Sequence, residues 1–166
     1  MDELLLTDLD LVESTPLGGN IDPDKYRFCV HDAQVSKLEE ILGETLYEKI
    51  KTEFSAIPKT LTGDYLVLYE KYIRPFLIHQ AAVEYLLIGS YQIANGGIYK
   101  HSPANSAPVE VAEVNFLVKN QRAKAEMYQA RLERYLVKMN FTEWTYSDDN
   151  NVNPTPSKYN GGFSFF

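Results

Sequence analysis

Three histidines and a single cysteine are the side chains best able to do nucleophilic, acid–base or metal chemistry here: His31, His79, His101 and Cys29. Metal sites need ligands set at turn or helix spacing, and none of these residues sits in an HExxH, HxH or CxxC pattern. His31 and Asp32 are neighbours, so on a helix they point about 100° apart and form no dyad. His79 lies in the most apolar stretch of the chain and reads as a buried, hydrogen-bonded imidazole. His101 falls in a Gly-, Ser-, Asn- and Pro-rich loop and reads as solvated. Cys29 falls in a helical pattern and reads as a small core hydrophobe. A lone cysteine makes an intrachain disulfide impossible and favours a reducing compartment. The segments "GGN" and "NGG" lack the spacing of a phosphate loop. Glu39, Glu40, Glu44, Glu48 and Glu53 read as wet helix faces. The residues therefore point to no catalysis, no cofactor and no bound metal.

Charge is more informative. The formal net charge is −7, which argues against a general nucleic-acid binder, because phosphate binding needs excess Lys and Arg. Asp2, Glu3, Asp8, Asp10, Glu13, Asp22 and Asp24 all precede the first basic residue, Lys25. Near the other end, Lys119, Arg122, Lys124, Arg131, Arg134 and Lys138 face only Glu126 and Glu133. Lys124, Arg131 and Lys138 are seven apart and share one helical strip. Two accounts stand. The strip pairs with the acidic N-terminus of its own chain, or it meets acids on a neighbouring copy and fixes their register.

The elements that must position these residues are mostly helices. The chain has 166 residues, with 45% hydrophobic and 23% charged, enough for one domain with a true core. Residues 1–20 are set apart as an N-terminal arm in which "LLLTDLDLV" reads as a short strand or a short helix. A first helix starts at the N-cap Asp22 and Pro23. It carries the stripe Tyr26, Val30, Ala33, is expected to bend near Val35-Ser36, and stops at Gly43. A second helix is "ETLYEKIKTEFSAI", closed by Pro58. A third runs from about Asp64 to Asn95 and is apolar on most sides, which places it mid-bundle; Pro75 predicts a kink or break at Ile73-Arg74. A long loop follows. The fourth helix runs from about Glu110 to Asn140 and has two apolar faces. Leu117, Gln121, Ala125, Tyr128, Leu132, Tyr135 and Met139 line one; Ala112, Phe116, Ala123, Met127 and Ala130 line the other. That second face is buried by its own chain or meets another subunit.

The fold class is thus all-α, a four- to five-helix bundle over residues 21–140, with an extended tail over 141–166 in which "FTEWTY" reads as a short strand. The tail ends "KYNGGFSFF". Tyr159, Phe163, Phe165 and Phe166 are surplus to a bundle core and read as anchors, on their own bundle or on a neighbour. Fourteen extended residues reach up to roughly 45 Å. The candidate partner interface is Tyr159, Phe163, Phe165 and Phe166 with Phe116, Met127, Lys124 and Arg131. The N-terminus has neither the basic start nor the apolar run of a signal peptide, and no apolar run approaches the ~20 residues of a membrane span. The chain is expected in the cytosol when made.

In order, the motifs "TPLGGNID", "HDAQVSKLEEILGETLYEKI", "GGIYKHSPANSAPVEVAEVNFLV" and "AEMYQARLERYL" resemble the head–tail connector (adaptor) proteins of tailed bacteriophages, in particular those of phages of Bacteroides-type hosts, the crAss-like group included. The resemblance covers about Leu4 to Leu136. It implies a small helical bundle that forms a ring, typically of twelve copies, under the portal protein. A stopper or tail protein lies beyond, and DNA passes through the lumen without sequence-specific binding. It implies a virion protein of the portal vertex, made in the host cytoplasm, with no catalysis and no membrane. The runner-up function is a small helical interaction or regulatory module acting as a monomer or dimer.

Overall fold

The structure, a computed structural model, describes residues 3–15, 23–88, 91–94, 97–100 and 111–144. Its body is an all-α bundle. The N-terminal stretch is helical: α1 spans Asp8–Ser14. Its start is fixed by a reciprocal cap, in which the Thr7 N–H donates to the Asp10 carboxylate at 2.7 Å. Leu5, Leu6 and Leu11 are all buried in the main core.

The first long helix begins at Pro23, as the proline predicts. It runs as α2 (Pro23–Ala33), a π-helical turn (Gln34–Leu38) and α3 (Glu39–Leu42). The wide turn sits where the sequence suggests a bend. It brings Gln34, fully buried, against the N-terminal stretch. The Gln34 amide oxygen accepts from the Leu5 N–H at 2.6 Å, and its nitrogen donates to the Glu3 carbonyl at 3.3 Å. Gly43 then turns the chain with φ 72° and ψ 154°, a conformation open essentially to glycine alone. Next comes α4, Glu44–Ser55, with Leu46, Tyr47 and Ile50 buried.

The central helix is α5 (Gly63–Leu68), a second π turn (Tyr69–Ile73) and α6 (Arg74–Ile88). The kink or break expected at Ile73-Arg74 takes the form of this π turn, which ends at Ile73. The Arg74 N–H reaches back five residues to the Tyr69 carbonyl. This widened turn accommodates a ring that would otherwise crowd the carbonyl four residues before it. Helix α6 buries Phe76, Leu77, Ile78, Ala81, Ala82 and Val83 and packs against α2 and α7.

The central helix ends at Ile88, short of the expected Asn95. In place of its last turns lies an antiparallel hairpin, β1 (Tyr91–Ala94) and β2 (Gly97–Lys100), with Tyr91 opposite Lys100 and Ala94 opposite Gly97. The last helix, α7, spans Val111–Met139. Beyond it, Phe141–Trp144 form a turn closed by a Trp144 N–H to Phe141 carbonyl bond of 3.1 Å. These four residues are not the strand expected of "FTEWTY". Tyr146 and the tail lie outside the described residues.

Candidate assembly surface

Helix α7 has an inward and an outward face. Inward, Val118, Gln121, Ala125, Leu132 and Leu136 are buried. Most of this is apolar packing, but Gln121 and His79 form a polar pin between α7 and α6. The imidazole Nδ1 lies 2.8 Å from the Gln121 amide oxygen, and the ring stacks on Tyr128 at 5.2 Å. Burial holds His79 below its usual pKa against the upward pull of Gln121. The ring is therefore neutral, with Nδ1–H donating to the Gln121 oxygen. This matches the buried, hydrogen-bonded imidazole expected of His79. Further along, Tyr72 and Tyr135 stack at 4.1 Å.

Outward, among the described residues, nothing covers α7. Phe116 is 68% exposed, Met127 49% and Val137 67%. Ala123 and Ala130 are exposed between them. Single exposed hydrophobics are ordinary, but a stripe that repeats along a helix of 29 residues is not. Phe116 and Met127 thus fall on one face, as the sequence suggests. Val137 extends it, and the period 116–123–130–137 would have revealed that residue. The surroundings of Ala112 lie outside the described residues.

The basic strip flanks this stripe. Lys124, Arg131 and Lys138 are exposed. Arg131 is steadied by aromatic faces, 5.3 Å from the Tyr128 ring and 5.8 Å from Tyr72. Among the described residues these three cations make no ion pair. The N-terminal acid nearest the body, Asp10, pairs with Arg74 of α6 instead. Burial raises the Asp10 pKa, but the Thr7 N–H and the guanidinium together bring it below its usual value. Pairing of the strip with the chain's own acids is therefore absent from the described residues.

The end of α7 is fastened by one acid. The Glu143 carboxylate accepts from Lys49 Nζ at 2.7 Å and from the Tyr65 hydroxyl at 2.6 Å. These bonds hold its pKa down at about 2. Phe141 packs 5.0 Å from Tyr65, and the Trp144 indole N–H donates to the Ile41 carbonyl at 3.2 Å. Trp144 and Glu143 therefore lie against α3 and α4. The tail anchors Tyr159, Phe163, Phe165 and Phe166 lie outside the described residues, as does His101.

Other candidate chemistry is muted. The Cys29 thiol is buried, and burial with Glu84 and Asp32 nearby pushes it up to about 12, so it stays protonated and unreactive. No group of three or more potential metal ligands occurs among the described residues. No helix among them is long and apolar enough to cross a membrane. A cleft of about 560 Å³ lies between the N-terminal stretch and the end of α4; Leu4, Leu6, Phe54 and Ile57 form apolar walls, with Arg27 and Lys59 at its edge. Neither histidine nor cysteine lines it.

The fold and surface define a small helical protein whose longest described helix presents an apolar face that no other described residue covers, with cations beside it. Residues 38–154 match the family of unknown function DUF6712, and the chain belongs to that family. The match includes all of α7 and the Glu143 latch. No curated protein matches the chain, and no solved structure matches it.

Proposed function

We propose that the chain is a structural virion protein, a head–tail connector (adaptor) subunit that docks under the portal of a tailed bacteriophage and joins capsid to tail. The observation that carries this reading is the apolar outward face of α7, uncovered among the described residues. A rigid bundle packs one side of a long helix and leaves the other apolar, which is what a subunit built for assembly needs. The order of motifs from Leu4 to Leu136 supplies the kind of assembly. The partners are then the portal protein, a stopper or tail protein, and further copies of the chain in a ring. The role needs neither catalysis nor a cofactor. The net charge of −7 suits a channel through which DNA slides without tight phosphate contacts.

Mixing the purified protein with portal rings and imaging by electron microscopy tests this. The reading expects a second ring stacked on the portal. Portal rings that stay bare at micromolar protein would overturn it. A second reading is a helical interaction module that works as a dimer. It is favoured by one observation, the self-matching charge pattern of α7 described next.

A further inference from the structure

We infer that the outward face of α7 pairs, in parallel and in register, with α7 of a second copy of this chain. The inference rests on that face being an assembly surface, which both readings share, and not on the phage role.

The exposed stripe is a heptad seam. Phe116, Ala123, Ala130 and Val137 fall every seven residues, and Asn120, Met127 and Arg134 fall between them at the alternating 4–3 spacing. These are the d and a positions of a two-stranded coiled coil. All seven are exposed. The core-facing residues occupy the other side: Val118, Ala125 and Leu132 sit at f, and Gln121 at b. The seam covers three heptads, about 32 Å at 1.5 Å per residue, and is independent of the packing that builds the monomer. Alanines at two d positions let helices approach closely. Asn120 is the kind of polar residue at a that fixes register.

The flanking charges choose the partner and its direction. The e positions are Leu117 and then Lys124, Arg131 and Lys138; the g positions are Lys119, Glu126 and Glu133. In a parallel pair each g residue meets the e residue five further along the other helix. Glu126 then faces Arg131 and Glu133 faces Lys138, twice over by symmetry. Among these g–e pairs only Lys119 against Lys124 is like-charged; within the seam the a position sets Arg134 beside Arg134 of the other copy. An antiparallel pair would set e against e, where Lys124, Arg131 and Lys138 are all basic. Arg131 is exposed and already steadied by Tyr128 and Tyr72. Arg134 holds its head group along its own helix, donating to the Ala130 carbonyl at 3.0 Å. Such a contact is isologous and closes on itself. A ring would therefore be built from pairs, or form by exchanging this contact for another.

The test uses the full chain carrying Ala130→Cys, oxidised with diamide at tens of micromolar and resolved on a non-reducing gel. Cys29 stays in place, buried and protonated, and the unsubstituted protein is the control. Most of the Ala130→Cys protein should run as a disulfide-linked pair that reductant reverses. Light scattering of unmodified protein should give twice 19.0 kDa, and Met127→Asp should weaken the pairing at least tenfold while leaving the helical circular-dichroism signal unchanged. Overturning results are a 19.0 kDa protein with no cross-link, as when residues 145–166 cover the face, or a cross-link only on mixing Ala130→Cys with Ala123→Cys, the antiparallel outcome. Portal binding is scored separately: stacked rings without the cross-link would sink the pairing and spare the connector reading, and the reverse result would do the opposite.

Discussion

At the residue scale, Gln34 does work no apolar residue could do. It satisfies the Leu5 N–H and the Glu3 carbonyl where the N-terminal stretch enters the core. Gln34→Leu preserves volume but strands both groups, and an unsatisfied buried backbone group costs about 1–3 kcal/mol. Urea unfolding should therefore show that loss, and a variant as stable as the parent would mean that the stretch does not pack here. Glu143 gives a pH signature. Its folded pKa, about 2, lies below the ordinary value near 4.5, so the latch stabilises fully above about pH 4.5 and is lost as pH falls towards 2. Glu143→Gln should lower Tm by at most about 3 °C near neutrality, the range for a partly exposed, solvent-screened ion pair. The gap from wild type should close as pH falls through that window. A gap that is constant with pH would rule out the ionised latch.

At the element scale, the two faces of α7 make opposite predictions. Leu132 is fully buried, so Leu132→Ala should cost about 2–5 kcal/mol of stability. Val137→Ala on the outward face should change stability by less than about 0.5 kcal/mol, measured by the same unfolding at a protein concentration low enough to keep the chain monomeric, since pairing through this face adds a concentration-dependent contribution. Equal costs at both sites would mean that the outward face is covered in the monomer. The helices were legible in the sequence because their signals are local. Pro23 opens α2, Gly43 separates α3 from α4, and the 3.6-residue period of α7 marks its inward stripe. The hairpin was missed because Tyr91 and Ile93 continue the apolar run of the central helix. Asn95-Gly96, the strongest two-residue hairpin signal, was the clue against it. The irregularity expected at Ile73-Arg74 takes the form of a π turn over Tyr69–Ile73, because a proline ring inside a helix needs a wider turn before it. Of the candidate site, Phe116, Met127, Lys124 and Arg131 were legible from their spacing. Val137 was not singled out, because its role shows only once the inward stripe is fixed.

At the scale of the whole molecule, the bundle builds its core with α2, the central helix and the inward side of α7, and no other described residue covers the outward side of α7. We propose that the outward side of α7 is an assembly surface and that the assembly is the neck of a virion. Removing Tyr159–Phe166 should leave the bundle's unfolding unchanged but weaken joining to the portal, if those aromatics anchor on a neighbour; a truncated protein that stacks on portal rings as well as the full chain would dismiss the tail from assembly. The most direct measurement is an electron-microscopy reconstruction of the portal vertex of the virion encoding this chain. The account predicts a ring of this bundle beneath the portal, with Phe116, Met127 and Val137 covered by neighbouring protein. A neck that lacks the chain, or a ring in which these residues face solvent, would contradict it.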